Sequence, residues 1–229
     1  MLYLVPTPIG NLQDITFRAI EILKGVDRIL AEDTRVTKKL LSHYNIEKPL
    51  LSYHTHNEHK ITDKIISYLD SGESLALVSD AGTPGISDPG YLLIKACHEN
   101  GIKVVSLPGA SASITAIAGS GLPSNRFHFE GFLPHKKGRN KRWDFLKDYP
   151  YSIIIYESPF RIVKLLKEIC DYLGDERSVT IARELTKIYE EIDLKTCKEH
   201  LELYMAKQKI KGEFVVIISP ENEKRTTHY

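Results

Sequence analysis

Ser74-Leu75-Ala76-Leu77-Val78-Ser79-Asp80-Ala81-Gly82-Thr83-Pro84-Gly85-Ile86-Ser87-Asp88-Pro89-Gly90 is the stretch on which the fold turns. Its first part, Leu75 to Val78, is apolar without a polar alternation. A strand reads that way when helices cover both of its faces, as in a parallel sheet. A turn of small residues and prolines follows, and Asp88-Pro89-Gly90 opens a helical pattern that ends near Asn100-Gly101. Strand, glycine turn and helix form the unit of an α/β sheet, and ligands of such sheets sit at the carboxyl ends of strands. Gly82 and Gly85 let a ligand approach the backbone. Asp80 offers an acceptor to a ribose or an amine. The competing reading is that Asp80 and Asp88 only cap helices.

The same alternation extends in both directions. Further strands are expected at residues 2–6, 28–31, 50–53 and 103–107, then at 127–132, 152–156, 179–182 and 214–219. Ile61, Ile65, Ile66 and Leu69 form an apolar stripe after Asn57. Ser158-Pro159 is expected to start a helix whose stripe is Phe160, Val163, Leu166, Ile169 and Leu173, closed by Gly174. Residues 108–121 are rich in small side chains and carry no charge. They are either a tightly packed helix or backbone exposed to a ligand between lobes. The expected architecture is α/β: two α/β lobes with mostly parallel sheets and a cofactor cleft between them, residues 1–110 and 111–229. The polar tail 221–229 is expected to fray.

Lys+Arg exceed Asp+Glu by 31 − 30 = 1 among 229 residues, so overall charge predicts no polyanionic partner and a basic patch must be local. Cys97, Cys170 and Cys197 are odd in number and far apart, without a CxxC. That suggests neither a disulfide framework nor a zinc ribbon, and points to a reducing cytoplasm. The amino terminus lacks the basic start and long apolar core of a signal peptide. No apolar run approaches the roughly 20 residues of a membrane span.

Rossmann, P-loop, zinc-protease and serine-hydrolase signatures are absent. What remains is a set of turns at strand ends. Pro6-Thr7-Pro8-Ile9-Gly10-Asn11-Leu12 is a rigid loop after the first strand. Ala31-Glu32-Asp33-Thr34-Arg35 places two carboxylates and an arginine where a strand meets a helix. Glu32 or Asp33 could serve as a base and Arg35 could hold a phosphate; alternatively Asp33 caps the helix and Arg35 pairs locally. His54, His56 and His59 are spaced like metal ligands, but no distant ligand cluster supports them, and a polar rim or a cap at Asn57 explains them better. His135-Lys136-Lys137-Gly138-Arg139-Asn140-Lys141-Arg142-Trp143 holds five cations and no acid. It suits phosphate contacts by Lys136, Lys137, Arg139, Lys141 and Arg142, with Trp143 stacked on a base. The alternative is a solvated loop with Trp143 in the core.

In order along the chain, 4–12, 31–35, 79–84, Glu130-Gly131-Phe132-Leu133-Pro134 and Ala182-Arg183-Glu184-Leu185-Thr186-Lys187 resemble the tetrapyrrole-methylase-like superfamily. Within it they are most similar to the branch that methylates a cytidine ribose 2′-hydroxyl in 16S ribosomal RNA. The resemblance implies S-adenosylmethionine as cofactor, 16S rRNA or the 30S subunit as partner and a homodimer; the residues themselves point to no metal and no membrane partner. It also implies cofactor contacts at Pro8, Val78, Ser79, Asp80, Gly82, Thr83, Ser111 and Ala112, and more loosely at Tyr156, Leu185 and Gly212. A small helical carboxyl-terminal extension, frequent in that branch, is expected to be missing. Two alternatives stay open: a methylase of a tetrapyrrole or other small molecule, and an RNA-binding module without catalysis.

Overall fold

The computed structural model describes residues 1–221, so all but the first residue of the tail 221–229 lies outside it. The chain divides into two compact units, Met1–Ser111 and the part from Ala112 onward.

The first unit holds β1 (Leu2–Leu4), α1 (Phe17–Gly25), β2 (Arg28–Ala31), α2 (Thr34–His43) and β3 (Leu50–Ser52), then α3 (Glu58–Asp70), β4 (Leu75–Val78), α4 (Tyr91–Glu99) and β5 (Val104–Ser106). The strands form one sheet, ordered β3-β2-β4-β1-β5, and every neighbouring pair is parallel. Alternate residues of these strands enter opposite cores. Leu2, Leu4, Leu30, Leu75 and Leu77 meet Ile65, Leu69 and Leu93 on one face. Val5, Ile29, Ala31, Ala76 and Val78 meet Ala19, Leu23 and Leu41 on the other. Two covered faces are the reason β4 shows no polar alternation. Each buried Leu contributes roughly 1.5–3 kcal/mol relative to exposure. The helices start on short polar side chains: the Thr16 hydroxyl accepts the Ala19 N–H at 3.0 Å, and Asp33 accepts that of Arg35 at 2.8 Å.

The second unit holds α5 (Ala112–Gly119), β6 (Phe127–Phe132), α6 (Arg139–Leu146), β7 (Ser152–Glu157) and α7 (Ile162–Leu173), then β8 (Ser178–Arg183), β9 (Glu191–Thr196), α8 (Cys197–Met205) and β10 (Phe214–Ile218). Its sheet runs β6-β7-β10-β8-β9. Only β6 and β7 are parallel; β10 opposes both β7 and β8, and β9 opposes β8. The expectation of mostly parallel sheets therefore holds for the first unit and is corrected for the second. An apolar run reports that both faces are covered, and all five residues of β10 are buried whichever way its neighbours run. Strand β9 is absent from the sequence-based assignment although Glu191-Ile192-Asp193-Leu194-Lys195 alternates as a strand with one exposed face does; the assignment followed continuous apolar runs. Helix α7 begins at Ile162, after a turn closed by the Arg161 N–H on the Ser158 carbonyl at 3.1 Å. Ser158 is thus not its cap, and Phe160 leaves the expected stripe for solvent.

Candidate cofactor and substrate site

Because the first sheet is parallel, the loops after β1, β2, β4 and β5 all leave from one edge, and hydrogen bonds tie them together. Thr7 and Gly82 exchange both backbone bonds at 2.9 Å, bridging the loops after β1 and β4. The Thr7 hydroxyl adds a bond to the Ser79 carbonyl at 3.0 Å. Asp80 Oδ1 accepts the Asp33 N–H at 3.0 Å, which joins the β4 loop to the start of α2. Thr83 donates to the Ala110 carbonyl at 3.1 Å, which joins it to the loop after β5. That last loop passes so close to Pro6 that a Cβ on Gly109 would lie 2.6 Å from the Pro6 Cβ. Pro8, Val78, Ser79 and Gly82 are buried in this assembly, Thr83 is half-buried and Asp80 is exposed. Ser111 ends the first unit and Ala112 opens α5.

The carboxylates of this edge differ sharply. Burial, then the charges of Asp80 and Asp33, push the Glu32 carboxyl above its ordinary range. Asp80 is also raised, by burial and by Asp33. Burial and Glu32 push Asp88 up to about 7. Asp33 goes the other way: hydrogen bonds from the Arg35 side chain and backbone hold it down to about 2. Arg35 Nη2 sits 2.6 Å from Asp33 Oδ2, so the arginine is engaged at home. The local-pairing reading of Asp33 and Arg35 is the one the geometry favours. Asp88 enters the site without having been singled out as more than a cap. Helix α4 in fact starts from Gly90, while the Asp88 carboxyl faces the Ser79 hydroxyl. The signal available in sequence was a third carboxylate inside a glycine turn that must fold back on its own strand.

The histidines after β3 form a turn. The Asn57 carboxamide accepts the His54 N–H at 2.9 Å and donates to the Ser52 carbonyl at 3.0 Å. Asn57 occupies the cap position of α3 but spends its side chain on this turn. Among the described residues no group of three or more His, Cys, Asp or Glu side chains is placed to hold a metal ion.

In the second unit, Tyr156, Leu185 and Gly212 stand at one end of the sheet. The Tyr156 hydroxyl accepts the Ser113 N–H at 3.0 Å, which satisfies a free donor in the first turn of α5. Leu185 is buried between Glu184 and Thr186, which both have positive φ, 52° and 64°. Backbone strain of this kind gathers at ligand-binding turns. Gly212 has φ +100°, and a Cβ there would lie 2.6 Å from the Glu184 Cγ. That space lets Glu184 accept the Glu213 N–H at 3.0 Å and the Lys187 ammonium at 2.9 Å.

The basic segment separates into two kinds of side chain. Lys136, Lys137 and Lys141 are exposed. Arg139 is 3 % exposed; it grips Glu168 at 2.6 Å and the Pro134 carbonyl at 2.9 Å. A phosphate cannot reach it without breaking that network, so Arg139 is an internal ion-pair partner and not the RNA contact its sequence suggests. Arg142 is half-buried against Glu130, with Nη2 to Oε2 at 2.5 Å. Burial works against the Glu130 charge, yet Arg142 and His128 together hold its carboxyl below the usual range. Trp143 is fully buried, stacks on Tyr172 at 5.5 Å and donates to Glu168 at 3.2 Å. It is core, not a platform for a base.

Comparison with known proteins agrees with this geometry. The tetrapyrrole (corrin/porphyrin) methylase family model matches residues 1–199. Ribosomal RNA small subunit methyltransferase I of Synechocystis sp. is 49 % identical over 220 residues, 96 % of this chain and 78 % of that protein. The Bacillus subtilis protein of the same name is 49 % identical over 97 % of this chain and 76 % of its own length. Among solved structures, diphthine synthase superimposes with a TM-score of 0.74 at 13 % identity, covering 96 % of this chain and 89 % of that one. Uroporphyrin-III C-methyltransferase of Thermus thermophilus, complexed with S-adenosylhomocysteine, gives 0.64 at 16 % identity, covering 94 % and 96 %. The structural likenesses establish the fold, two five-stranded sheets under helices; the sequence matches establish kinship. The chain belongs to the tetrapyrrole (corrin/porphyrin) methylase family and, within it, to the ribosomal RNA small subunit methyltransferase I proteins.

Proposed function

We propose that the chain is an S-adenosylmethionine-dependent methyltransferase that modifies the ribose 2′-hydroxyl of a cytidine in 16S ribosomal RNA, in the cytoplasm. The observation that carries this reading is 49 % identity over 96 % of the chain to a protein named as a methyltransferase of small-subunit ribosomal RNA. The first-unit edge fits the cofactor's chemistry. Glu32, Asp80 and Asp88 crowd three carboxyls there, raised by burial and mutual repulsion, and an arriving sulfonium or ammonium favours their ionised forms; Thr7, Gly82 and Thr83 hold the backbone rigid. The contacts assigned are Pro8, Val78, Ser79, Asp80, Gly82 and Thr83, with Ser111, Ala112, Tyr156, Leu185 and Gly212.

S-adenosylmethionine supplies a methyl group already activated for displacement. The chain must align the ribose oxygen, exclude water and receive the hydroxyl proton. Glu32 suits the last role, because its raised carboxyl is a stronger base than a free one. Asp33 does not, since Arg35 keeps it ionised and a weak base. Lys136, Lys137 and Lys141 hold phosphates. The reading also takes the chain as a homodimer. Strand β9, with no partner strand on its outer side among the described residues and with Ile192 and Leu194 exposed, supports a self-association surface.

The test is transfer of labelled methyl from S-adenosylmethionine to 30S subunits or free 16S RNA, followed by nucleoside mass spectrometry. The reading expects 2′-O-methylcytidine. Labelling of tetrapyrroles alone, or RNA binding with no heat on adding the cofactor, overturns it. Sedimentation at micromolar concentration tests the dimer.

A further inference from the structure

Four chain segments of the second unit meet at one edge of its sheet. β6 and β7 run together, and β10 runs against β7 and β8. The carboxyl ends of β6, β7 and β8 therefore lie beside the amino end of β10. Three large side chains on these loops stand in solvent: Phe160 after β7 is 94 % exposed, and Ile188 and Tyr189 after β8 are 94 % and 72 % exposed. Strands β7 and β8 flank β10, so the roots of their loops are about 10 Å apart. The acids beside Tyr189 are engaged locally, Glu190 by the Thr186 N–H, Glu191 by Arg183 at 3.0 Å and Glu213 by Lys187 at 2.8 Å, while the flanking segments carry cations. Lys136 and Lys137 follow β6, and Lys207, Lys209 and Lys211 precede β10, in a run from 203 to 212 with no acid. All five are exposed, and no carboxylate pairs with Lys136, Lys137, Lys209 or Lys211 among the described residues.

We propose that Phe160 and Tyr189 are the platforms on which unpaired bases of the RNA substrate stack, with the 136–137 and 207–211 lysines holding the flanking phosphates. This rests on the RNA-methyltransferase reading and deepens it. Every base has a π-face, so an exposed ring binds single strands with little regard to sequence, and lysines add a salt-dependent hold on the backbone. A protein partner fits the edge less well, because interface cores are depleted in lysine.

The test compares the full chain with F160A/Y189A, both changes lying at exposed sites. The platform predicts at least a tenfold rise in KM for 30S subunits with S-adenosylmethionine affinity by calorimetry unchanged, and restoration by F160Y/Y189F. K209E/K211E should lessen the salt dependence of RNA binding. A KM within twofold of the parent, in a parent that methylates RNA, overturns the platform and leaves the function standing. Equal loss of cofactor affinity reassigns the rings to the cofactor and also overturns it. A parent that methylates no RNA removes both.

Discussion

Replacing Arg139 by Met removes a guanidinium while keeping most of the side-chain volume. Arg139 is 3 % exposed and holds Glu168 through two nitrogens, at 2.9 and 2.6 Å, with Glu157 Oε2 at 4.0 Å. Breaking a buried pair by deleting one partner costs about 3–5 kcal/mol. The low end applies here, because Glu168 keeps the Lys164 ammonium at 3.9 Å and Glu157 keeps Arg161 at 2.7 Å. About 3 kcal/mol, divided by a urea slope of about 1.5 kcal/mol/M, lowers the unfolding midpoint of the second unit by about 2 M. The chain supplies its own reporter. Trp143 is its single tryptophan and donates an indole hydrogen bond to Glu168 within the same network. Urea titration followed by tryptophan fluorescence should show an early, red-shifting transition in the variant. A midpoint within 0.3 M of the parent, on the scale of that slope, would mean that the guanidinium is solvated and open to a phosphate.

Glu32→Gln should lower single-turnover methyl transfer by about 10²-fold or more while calorimetric cofactor binding persists; Asp33→Asn should cost far less, and equal losses would contradict the assignment of the base. Asp88 titrates at about 7 in the fold and near 3.8 unfolded, so the stability it favours is complete at low pH and fades as pH rises through 7. Asp88→Asn should flatten the melting temperature between pH 4 and 7, and an unaltered slope would deny the burial of that carboxyl. Gly212→Ala forces a Cβ against Glu184 at φ +100°, with an expected loss of about 1–3 kcal/mol in a thermal melt and weaker cofactor binding. Charge reversal at Lys136 and Lys137 should weaken 30S binding without shifting the melt, unlike any change at Arg139.

What could be read from sequence was what depends on neighbours. Strands β2 and β6 occupy the positions their composition predicts, because local apolar runs decide them. The Thr7–Gly82 bridge was prefigured only as two rigid turns, since its partners lie far apart in the chain. Arg139 looked like a phosphate ligand because its acid, Glu168, is 29 residues away. Trp143 was open between stacking and core for the same reason, its partner Tyr172 being on another helix. Phe160 fitted a helical stripe by spacing, but the turn closed on Ser158 delays the helix and throws the ring outward. Periodicity cannot reveal which member of a stripe precedes the first helical bond.

Strand β10 is paired on both sides, with β7 and with β8, and without it the second sheet falls into two separate pairs, parallel β6-β7 and antiparallel β8-β9. During synthesis, the first unit has every strand it needs once residue 106 has emerged. The second waits until residue 218, holding Ile153, Ile155 and Val179 without their central neighbour. Domains fold as units from the amino end, so the nascent chain carries a finished half and an aggregation-prone half on the ribosome together. Chaperone demand and the reach of a premature stop codon should both concentrate in that interval.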